Sequence, residues 1–174
     1  MAENGSNGAG SIFAGIENAR VYRGGQYFQP GMYRVRIESI SLFQSEKHNG
    51  RWYFAAETSV VETSAPEYGP GSTVSWVQDM SKQSAHSNCK EFALAINPGC
   101  NPDEITEEVM ETICGPEQPA AGSIVDAEVF HKTSKEGRQY TRVQWRAAEG
   151  DFVAGNSNDE SPSSSPEETG QVPF

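Results

Sequence analysis

The chain has 174 residues, of which 36% are hydrophobic, and a formal net charge of -11. It has no apolar run near the ~18 residues that span a bilayer and no apolar signal region at its start, so we expect neither a membrane span nor export. We expect a soluble, cytoplasmic protein with a single folded core.

The first predicted elements are a leader and a short arm. Residues 1–11 are small, polar and Gly-rich, which predicts a disordered leader, and the folded domain is predicted over residues 12–148. A short edge strand or ordered arm is expected at residues 26–28, between the turn signals Gly24-Gly25 and Pro30-Gly31.

Hydrophobic alternation predicts three consecutive strands. Residues 32–45 form the first, and its alternation changes phase after Glu38, which indicates a bulge near Ser39. Residues 51–63 form the second, with five side chains predicted to face the core: Trp52, Phe54, Ala56, Thr58 and Val60. Residues 72–80 form the third, which is rich in Val, Ser and Trp.

Two helical patterns follow the third strand. Residues 87–96 show an apolar stripe and end at Asn97-Pro98-Gly99. The second pattern is capped by Asn101 and ends at Gly115-Pro116, and its carboxylates follow the spacing of a helix surface. Three of its side chains line one face: Ile105, Val109 and Ile113.

Two more strands complete the domain. They cover residues 124–132 and 139–148 and are joined by a polar hairpin at residues 133–138. His131 is predicted to be a structural histidine on the inner face of the fourth strand. The outer face of the fifth strand has cationic and aromatic side chains among its four members: Tyr140, Arg142, Gln144 and Arg146.

The tail, residues 149–174, is dominated by Ser, Pro, Asn, Asp and Glu, with six acidic residues and no Lys or Arg. Such a segment cannot bury enough apolar surface to offset its chain entropy, so we predict disorder. Six more acidic residues lie between Asp103 and Glu117, which leaves 12 of the 24 acidic residues against all 13 basic ones elsewhere. The folded domain can therefore present a basic face despite the net charge.

The cysteines, Cys89, Cys100 and Cys114, are odd in number and have no close pair, which fits a reducing compartment better than a disulfide framework. Together with His86 they could hold zinc, but their spacing matches no pattern with paired zinc ligands. Small buried apolar cysteines are the other interpretation. We predict neither a metal nor another cofactor.

Three strands, a helical insertion and a final hairpin match the OB-fold, a mainly β, five-stranded barrel that binds oligonucleotides on the face of strands 2 and 3 and with its loops. Proteins grip single strands with cations along the phosphates and aromatic rings beneath the bases. The outer face and loops supply both groups in the predicted nucleic-acid-binding set: Arg34, Arg36, Arg51, Tyr53, Trp76, Phe130, Lys132, Lys135, Arg138, Tyr140, Arg142 and Arg146.

Parts of this set have other interpretations. Its sheet arginines are also typical of an ordinary solvated face. The three tryptophans, Trp52, Trp76 and Trp145, fit a core better than a stacking platform, and Trp76 is the least clear of them. Trp76 is therefore kept as a candidate.

Catalytic motifs are absent from the sequence. It contains no Gly-rich phosphate loop, no Gly-x-Ser-x-Gly and no His-Glu-x-x-His, and its histidines, His48, His86 and His131, form no spaced cluster. We predict a protein that is not an enzyme and has no catalytic residues.

The chain ends in Val172-Pro173-Phe174 after its Ser/Pro/acidic linker. An OB-fold followed by such an end resembles the bacterial and phage single-stranded DNA-binding proteins, whose acidic tails carry a short hydrophobic tip, often Pro-Phe. Residues 24–33, Gly-Gly-Gln-Tyr-Phe-Gln-Pro-Gly-Met-Tyr, look like the small phage-encoded proteins of this kind. One departure is Thr169-Gly170-Gln171, which stands where the bacterial tails have aspartates.

The resemblance implies a protein that coats single-stranded DNA, without strong sequence preference, during replication, recombination and repair in a host cell's cytoplasm. It also implies that Val172, Pro173 and Phe174 dock on proteins of those processes. The alternative from another class is an OB-fold adaptor that binds proteins and not DNA, because a fold alone does not determine function. A plain disordered end is the alternative for the tail. Whether the protein forms a homo-oligomer is left open.

Overall fold

A computed structural model of the protein describes residues 26–154. Five strands form one antiparallel sheet: β1 (Gly31–Ser45), β2 (Arg51–Thr63), β3 (Thr73–Asp79), β4 (Ile124–Thr133) and β5 (Gln139–Ala147). Two α-helices, α1 (Ala85–Ile96) and α2 (Glu107–Cys114), lie between β3 and β4 in the chain. The predicted mainly β fold with a helical insertion after the third strand is confirmed. The predicted leader and the tail from residue 155 onward lie outside the described residues.

The predicted second helix is divided into two parts. A 3-10 turn covers Pro102–Glu104, and α2 begins only after Thr106, whose hydroxyl oxygen accepts a hydrogen bond from the Val109 N–H at 3.4 Å. Asn101, the predicted cap, begins the 3-10 turn instead, and its N–H donates to the Glu104 carboxylate at 2.6 Å. That hydrogen bond lowers the pKa of Glu104.

β1 pairs with β2 on one side and with β4 on the other, in the order β3-β2-β1-β4-β5. Its register with β2 shifts between Arg34 and Val35 and again between Ile37 and Ser39. The second shift confirms the predicted bulge. An extra residue at a bulge reverses the alternation of the strand, so Ile40 points back into the core and is only 1% exposed.

Beyond Ile37, the side chain of a loop residue takes the place of β4 as the partner of β1. The Gln118 Oε1 atom accepts from the Ile40 N–H at 2.7 Å, and its Nε2 donates to the Ile40 carbonyl at 2.8 Å. Gln118 adopts a φ of 47° to reach this position. Both backbone groups of the buried Ile40 are thereby paired, as a buried backbone requires.

The core lies on the inner face of the sheet, against α1. At its centre are four rings whose contacting centroids are 4.9 to 5.8 Å apart: Phe54, Trp76, Phe92 and Trp145. Aromatic pairs at such distances contribute about 0.5–1.5 kcal/mol each beyond the burial of their surface. The core therefore contains side chains from both edge strands, β3 and β5, together with α1.

Two side chains that were predicted to face the core are exposed. Trp52 is 48% exposed, although Phe54, the next inward residue of β2, is 2% exposed. His131 of β4 is exposed, although Val129 is buried. Both strands continue past the core into their hairpins, so alternation predicts the face of a residue correctly but not the point at which the core ends.

The predicted five-stranded barrel is not closed, because within the described residues β3 and β5 are the two edges of the sheet and do not pair. Part of the gap between them is filled by the arm that precedes β1. The Ser75 N–H donates to the Gln26 carbonyl at 2.8 Å, and Tyr27 forms an isolated parallel bridge with Ser75. Phe28 is 4% exposed and packs edge-on against Trp145, with centroids 5.7 Å apart.

Helix α1 fills another part of the gap. Asn88 donates to the Gln78 side chain of β3 at 2.8 Å and accepts a hydrogen bond from Arg142 of β5. Glu91 accepts from the backbone N–H of Trp145 at 2.8 Å, in the position where a neighbouring strand would otherwise bind. The helix thus covers the free edge of β5 at Trp145, which protects an edge that would otherwise be exposed.

Candidate nucleic-acid interface

The predicted nucleic-acid-binding set does not form one continuous basic face. Because β1 is antiparallel to both of its neighbours, the β1–β2 hairpin and the β4–β5 hairpin lie beyond opposite ends of β1. The arginines of the central strands lie between these ends. The set therefore divides into central arginines, a β1–β2 group and a β4–β5 group.

Arg34, in the middle of the sheet, is held by protein groups. Its guanidinium binds both carboxylate oxygens of Asp126 at 2.8 and 2.9 Å and donates to the Gly150 carbonyl at 2.9 Å. The side chain is 12% exposed, and the hydrogen bond to Asp126 raises its pKa. Arg34 therefore anchors the segment after β5 and has little capacity left for a phosphate.

Three other predicted arginines also face carboxylates, but their exposure differs. Arg142 pairs with Glu91 at 2.7 Å with its side chain 27% exposed, so it belongs to the link between α1 and β5. Arg146, 56% exposed, pairs with Glu128, and Arg51, 49% exposed, lies 3.4 Å from a carboxylate oxygen of Asp79. Exposed pairs contribute only about 0–1 kcal/mol, so these last two arginines can exchange their carboxylate for a phosphate.

Arg36 is the central arginine that remains available. It is exposed, and within residues 26–154 its side chain makes no ion pair or hydrogen bond. It lies two residues from Arg34, on the same face of β1.

The β4–β5 hairpin brings cations and aromatic rings together. Lys132 lies opposite Tyr140 in the strand register, and its Nζ is 5.7 Å from the ring centroid of Phe130. Tyr140 is 49% exposed, and Lys135 and Arg138 are exposed in the turn. Within the described part of the chain, none of these three cations is in an ion pair. Rings beside unpaired cations are the groups that a single strand requires.

The β1–β2 hairpin has a second aromatic group, which sequence reasoning found only in part. Tyr53 was predicted, and its ring stacks on that of Phe43 with centroids 5.7 Å apart and an angle of 22°. His48 approaches the edge of Tyr53, with centroids 5.8 Å apart. Phe43 is 43% exposed and was missed. Continuing the alternation of β1 past the bulge, from Ser39 through Ser41, would have placed it on the outer face.

One member of the predicted nucleic-acid-binding set does not lie on this surface. Trp76 is 5% exposed and packs among the core rings, so it cannot stack on a base, and this corrects its assignment. The tip residues Val172, Pro173 and Phe174 lie outside the described residues.

No group of three or more His, Cys, Asp or Glu side chains within residues 26–154 is placed to hold a metal ion. Cys89 is buried, and desolvation, with a smaller effect of Cys114, raises the pKa of its thiol to about 12. Burial also raises the pKa of Cys114. Both thiols are thus protonated near neutral pH.

Within the described segment no helix has the length and hydrophobicity needed to cross a bilayer. No protein-family model matches the chain, and no curated protein matches it. Its function has to be inferred from its residues and their geometry.

Proposed function

We propose that this protein binds single-stranded DNA without strong sequence preference and is not an enzyme. The observation that carries the proposal is that both hairpins of one sheet have exposed cations together with aromatic rings that are exposed or half-buried. Phe43 is exposed and Tyr53 half-buried at one end, and Tyr140 is exposed and Phe130 half-buried at the other. Stacking of a base on such a ring contributes about 1–3 kcal/mol and tolerates any base, which favours binding without sequence preference.

We also propose that the sheet is an open variant of the OB-fold. The helical insertion follows the third strand, and the sheet curls enough to bring Trp76 of β3 and Trp145 of β5 to a centroid distance of 5.3 Å. In an OB-fold the loops that flank the binding face are those after the first and fourth strands. Those are the two hairpins that have the aromatic and cationic groups.

The resemblance of the tail adds a second part to the proposal. The segment Val172-Pro173-Phe174 recruits proteins of DNA replication, recombination or repair, and the protein acts in the cytoplasm of a cell that a phage has infected. This part is supported by the sequence alone, by the tail for the recruitment of partners and by residues 24–33 for the phage.

The test is a titration of labelled oligo-dT at several salt concentrations. If about five phosphates are neutralised, the logarithm of affinity falls with the logarithm of salt concentration at a slope of about -3.5. The triple variant Lys132→Ala/Lys135→Ala/Arg138→Ala reduces that slope by about 2, because each phosphate contact contributes about 0.7. The control Lys82→Ala/Lys90→Ala, in the helical insertion, leaves the slope unchanged.

The same titration separates stacking from charge. Phe43→Ala weakens binding by about 1–3 kcal/mol with an unchanged salt slope. Trp52→Ala is the matched control, because Trp52 is as exposed as Phe43 but lies on the opposite face of the hairpin. An absence of oligo-dT binding at low salt would contradict the proposal and favour the adaptor. Binding that the triple variant and Phe43→Ala both leave unchanged would show that the two hairpins are not the binding surface.

A further inference from the structure

An open groove lies between the helical insertion and the inner face of the sheet, near the β1–β2 hairpin. Its volume is about 510 Å³. Its floor is apolar and comes from strands, helices and the loops beside them: Leu42, Phe54, Met80, Cys89, Ile105 and Met110. The groove is on the opposite face of the sheet from Phe43 and Tyr53, because Leu42 and Phe54 form a pair that faces inward.

Two large apolar side chains at the groove are exposed. Leu42 of the floor is 47% exposed, and Trp52 is 48% exposed. The Trp52 carbonyl accepts a hydrogen bond from the N–H of Met80, another floor residue, at 2.9 Å, so Trp52 lies next to the floor. Exposed apolar groups that adjoin a concave apolar floor are typical of a surface that a partner covers.

One wall of the groove is strongly acidic. Glu107 and Glu111 of α2 line it, and the neighbouring carboxylates of Asp103, Glu104 and Glu108 are exposed. Within the described residues none of these five carboxylates is in an ion pair.

The opposite wall, on α1, supplies Lys90 and His86. No Lys or Arg occurs in the sequence between Lys90 and Lys132, so nothing on α2 offsets its acidic charge.

We propose that this groove docks a basic segment of a partner protein with one or two large apolar side chains. The apolar side chains enter the floor, and the basic ones face Glu107 and Glu111. DNA is a poor occupant, because the α2 carboxylates repel phosphates. Residues 149–174 of this chain are a poor occupant for the same reason, since they have six acidic residues and no basic one.

The test uses the full chain and a labelled 12-residue probe peptide of Leu, Phe and Lys with its apolar residues at helical spacing. Two control peptides have either the same composition in scrambled order or Glu in place of Lys. The Lys probe binds with an affinity that falls as salt rises, and both control peptides bind at least about tenfold more weakly.

Variants locate the binding site of the probe. Glu107→Lys/Glu111→Lys and Leu42→Asp each weaken it by about tenfold. The controls Glu67→Lys/Glu149→Lys and Val153→Asp leave it unchanged, and they make the same changes at exposed positions away from the groove. Glu107→Lys/Glu111→Lys and Glu67→Lys/Glu149→Lys have the same net charge, and we expect their oligo-dT isotherms to match. A failure of the groove proposal is therefore distinguishable from a failure of the DNA-binding proposal.

Four results would overturn the proposal. If the two charge-reversal variants lose equal affinity for the Lys probe, the probe is attracted by net charge alone. If the Glu peptide binds as tightly as the Lys probe, the acidic wall does not contribute to binding. A dimer that Leu42→Asp dissociates would assign the groove to a second copy of this chain. Binding that occurs only after removal of residues 1–25, which include Phe13, Ile16, Arg20 and Arg23, would assign it to the chain's own segment.

Discussion

Arg34 and Arg36 are two positions apart on β1 and on one face, yet their surroundings differ. Asp126 from β4 and the Gly150 carbonyl surround the Arg34 guanidinium, whereas Arg36 makes no ion pair within the described residues. Breaking a partly buried pair leaves an uncompensated charge, which costs more than the pair itself contributes. Arg34 is therefore structural, and Arg36 remains available for a phosphate.

A second residue, Tyr33, makes the stability of the fold depend on pH. Burial raises the pKa of Tyr33 to about 12, and its hydroxyl donates to the Gln29 carbonyl at 2.7 Å. An unfolded tyrosine loses its proton near pH ~10. Between about pH 10 and 12 the folded state holds the proton that the unfolded state releases, so the free energy of unfolding falls as pH rises, by at most about 2.7 kcal/mol.

Urea denaturation of wild type and Tyr33→Phe at several pH values from 9 upward measures this effect. The phenylalanine variant loses this part of the pH dependence, and Tyr140→Phe, a change at an exposed tyrosine, keeps it. Parallel pH profiles for wild type and Tyr33→Phe would contradict the assignment.

At the scale of the elements, α1 joins the two edge strands, β3 and β5, which in a closed barrel would be joined by pairing with each other. Its Asn88 bonds to Gln78 on β3 and to Arg142 on β5, and its Glu91 pairs with the free edge of β5 at Trp145. Exposed strand edges pair with other chains unless something covers them. The helix protects β5 and at the same time holds the core together across the gap.

Removing the Glu91 carboxylate tests this role. Glu91→Ala leaves the Trp145 N–H without its acceptor and removes the carboxylate that pairs with the partly buried Arg142, which keeps only its hydrogen bond to Asn88. We therefore expect a loss of about 1–3 kcal/mol in the free energy of unfolding. Glu91→Gln keeps an acceptor for the N–H and loses less. Glu128→Ala, which breaks the exposed pair with Arg146, is the matched control and costs no more than about 1 kcal/mol. Urea denaturation measures all three, and equal losses in the two alanine variants would contradict the role of α1.

Across the whole molecule, charges of opposite sign are separated. The cations that make no ion pair within the described residues include Lys132, Lys135 and Arg138 at the β4–β5 hairpin, and the acidic wall lies on α2. The sequence from residue 155 onward adds four more acidic residues and no basic one. A net charge of -11 is therefore compatible with a locally basic surface.

Truncation after Ala154 is expected to tighten binding of oligo-dT several-fold at low salt. The four tethered carboxylates compete with phosphates for the basic residues, and the effect disappears near ~1 M salt, where charges are screened within about 3 Å. Ending the chain at Ala154 keeps Gly150, which Arg34 binds. A full-length variant with the four acids changed to amides gives the same tightening if charge is the cause. Weaker binding after truncation would contradict this expectation.

The elements of the fold could be predicted because their signals are local. Every strand begins and ends within one residue of its predicted position, and the bulge near Ser39 followed from a change of phase in adjacent residues. The candidate site was predicted less well. Phe43 was missed although the alternation of β1 past the bulge places it on the outer face. Trp76 was misassigned because its burial depends on Phe92 and Trp145, which are distant in the chain.

The sequence by itself determined the number and order of the strands, the position of the helical insertion and the uneven distribution of charge. Alternation, turn residues and composition act over a few neighbouring residues, so no tertiary contact is needed to read them. The tertiary structure alone decided which arginines are paired and that the sheet stays open. The contacts responsible join distant residues, with 92 positions between Arg34 and Asp126 and 51 between Glu91 and Arg142, and only folding brings such groups together.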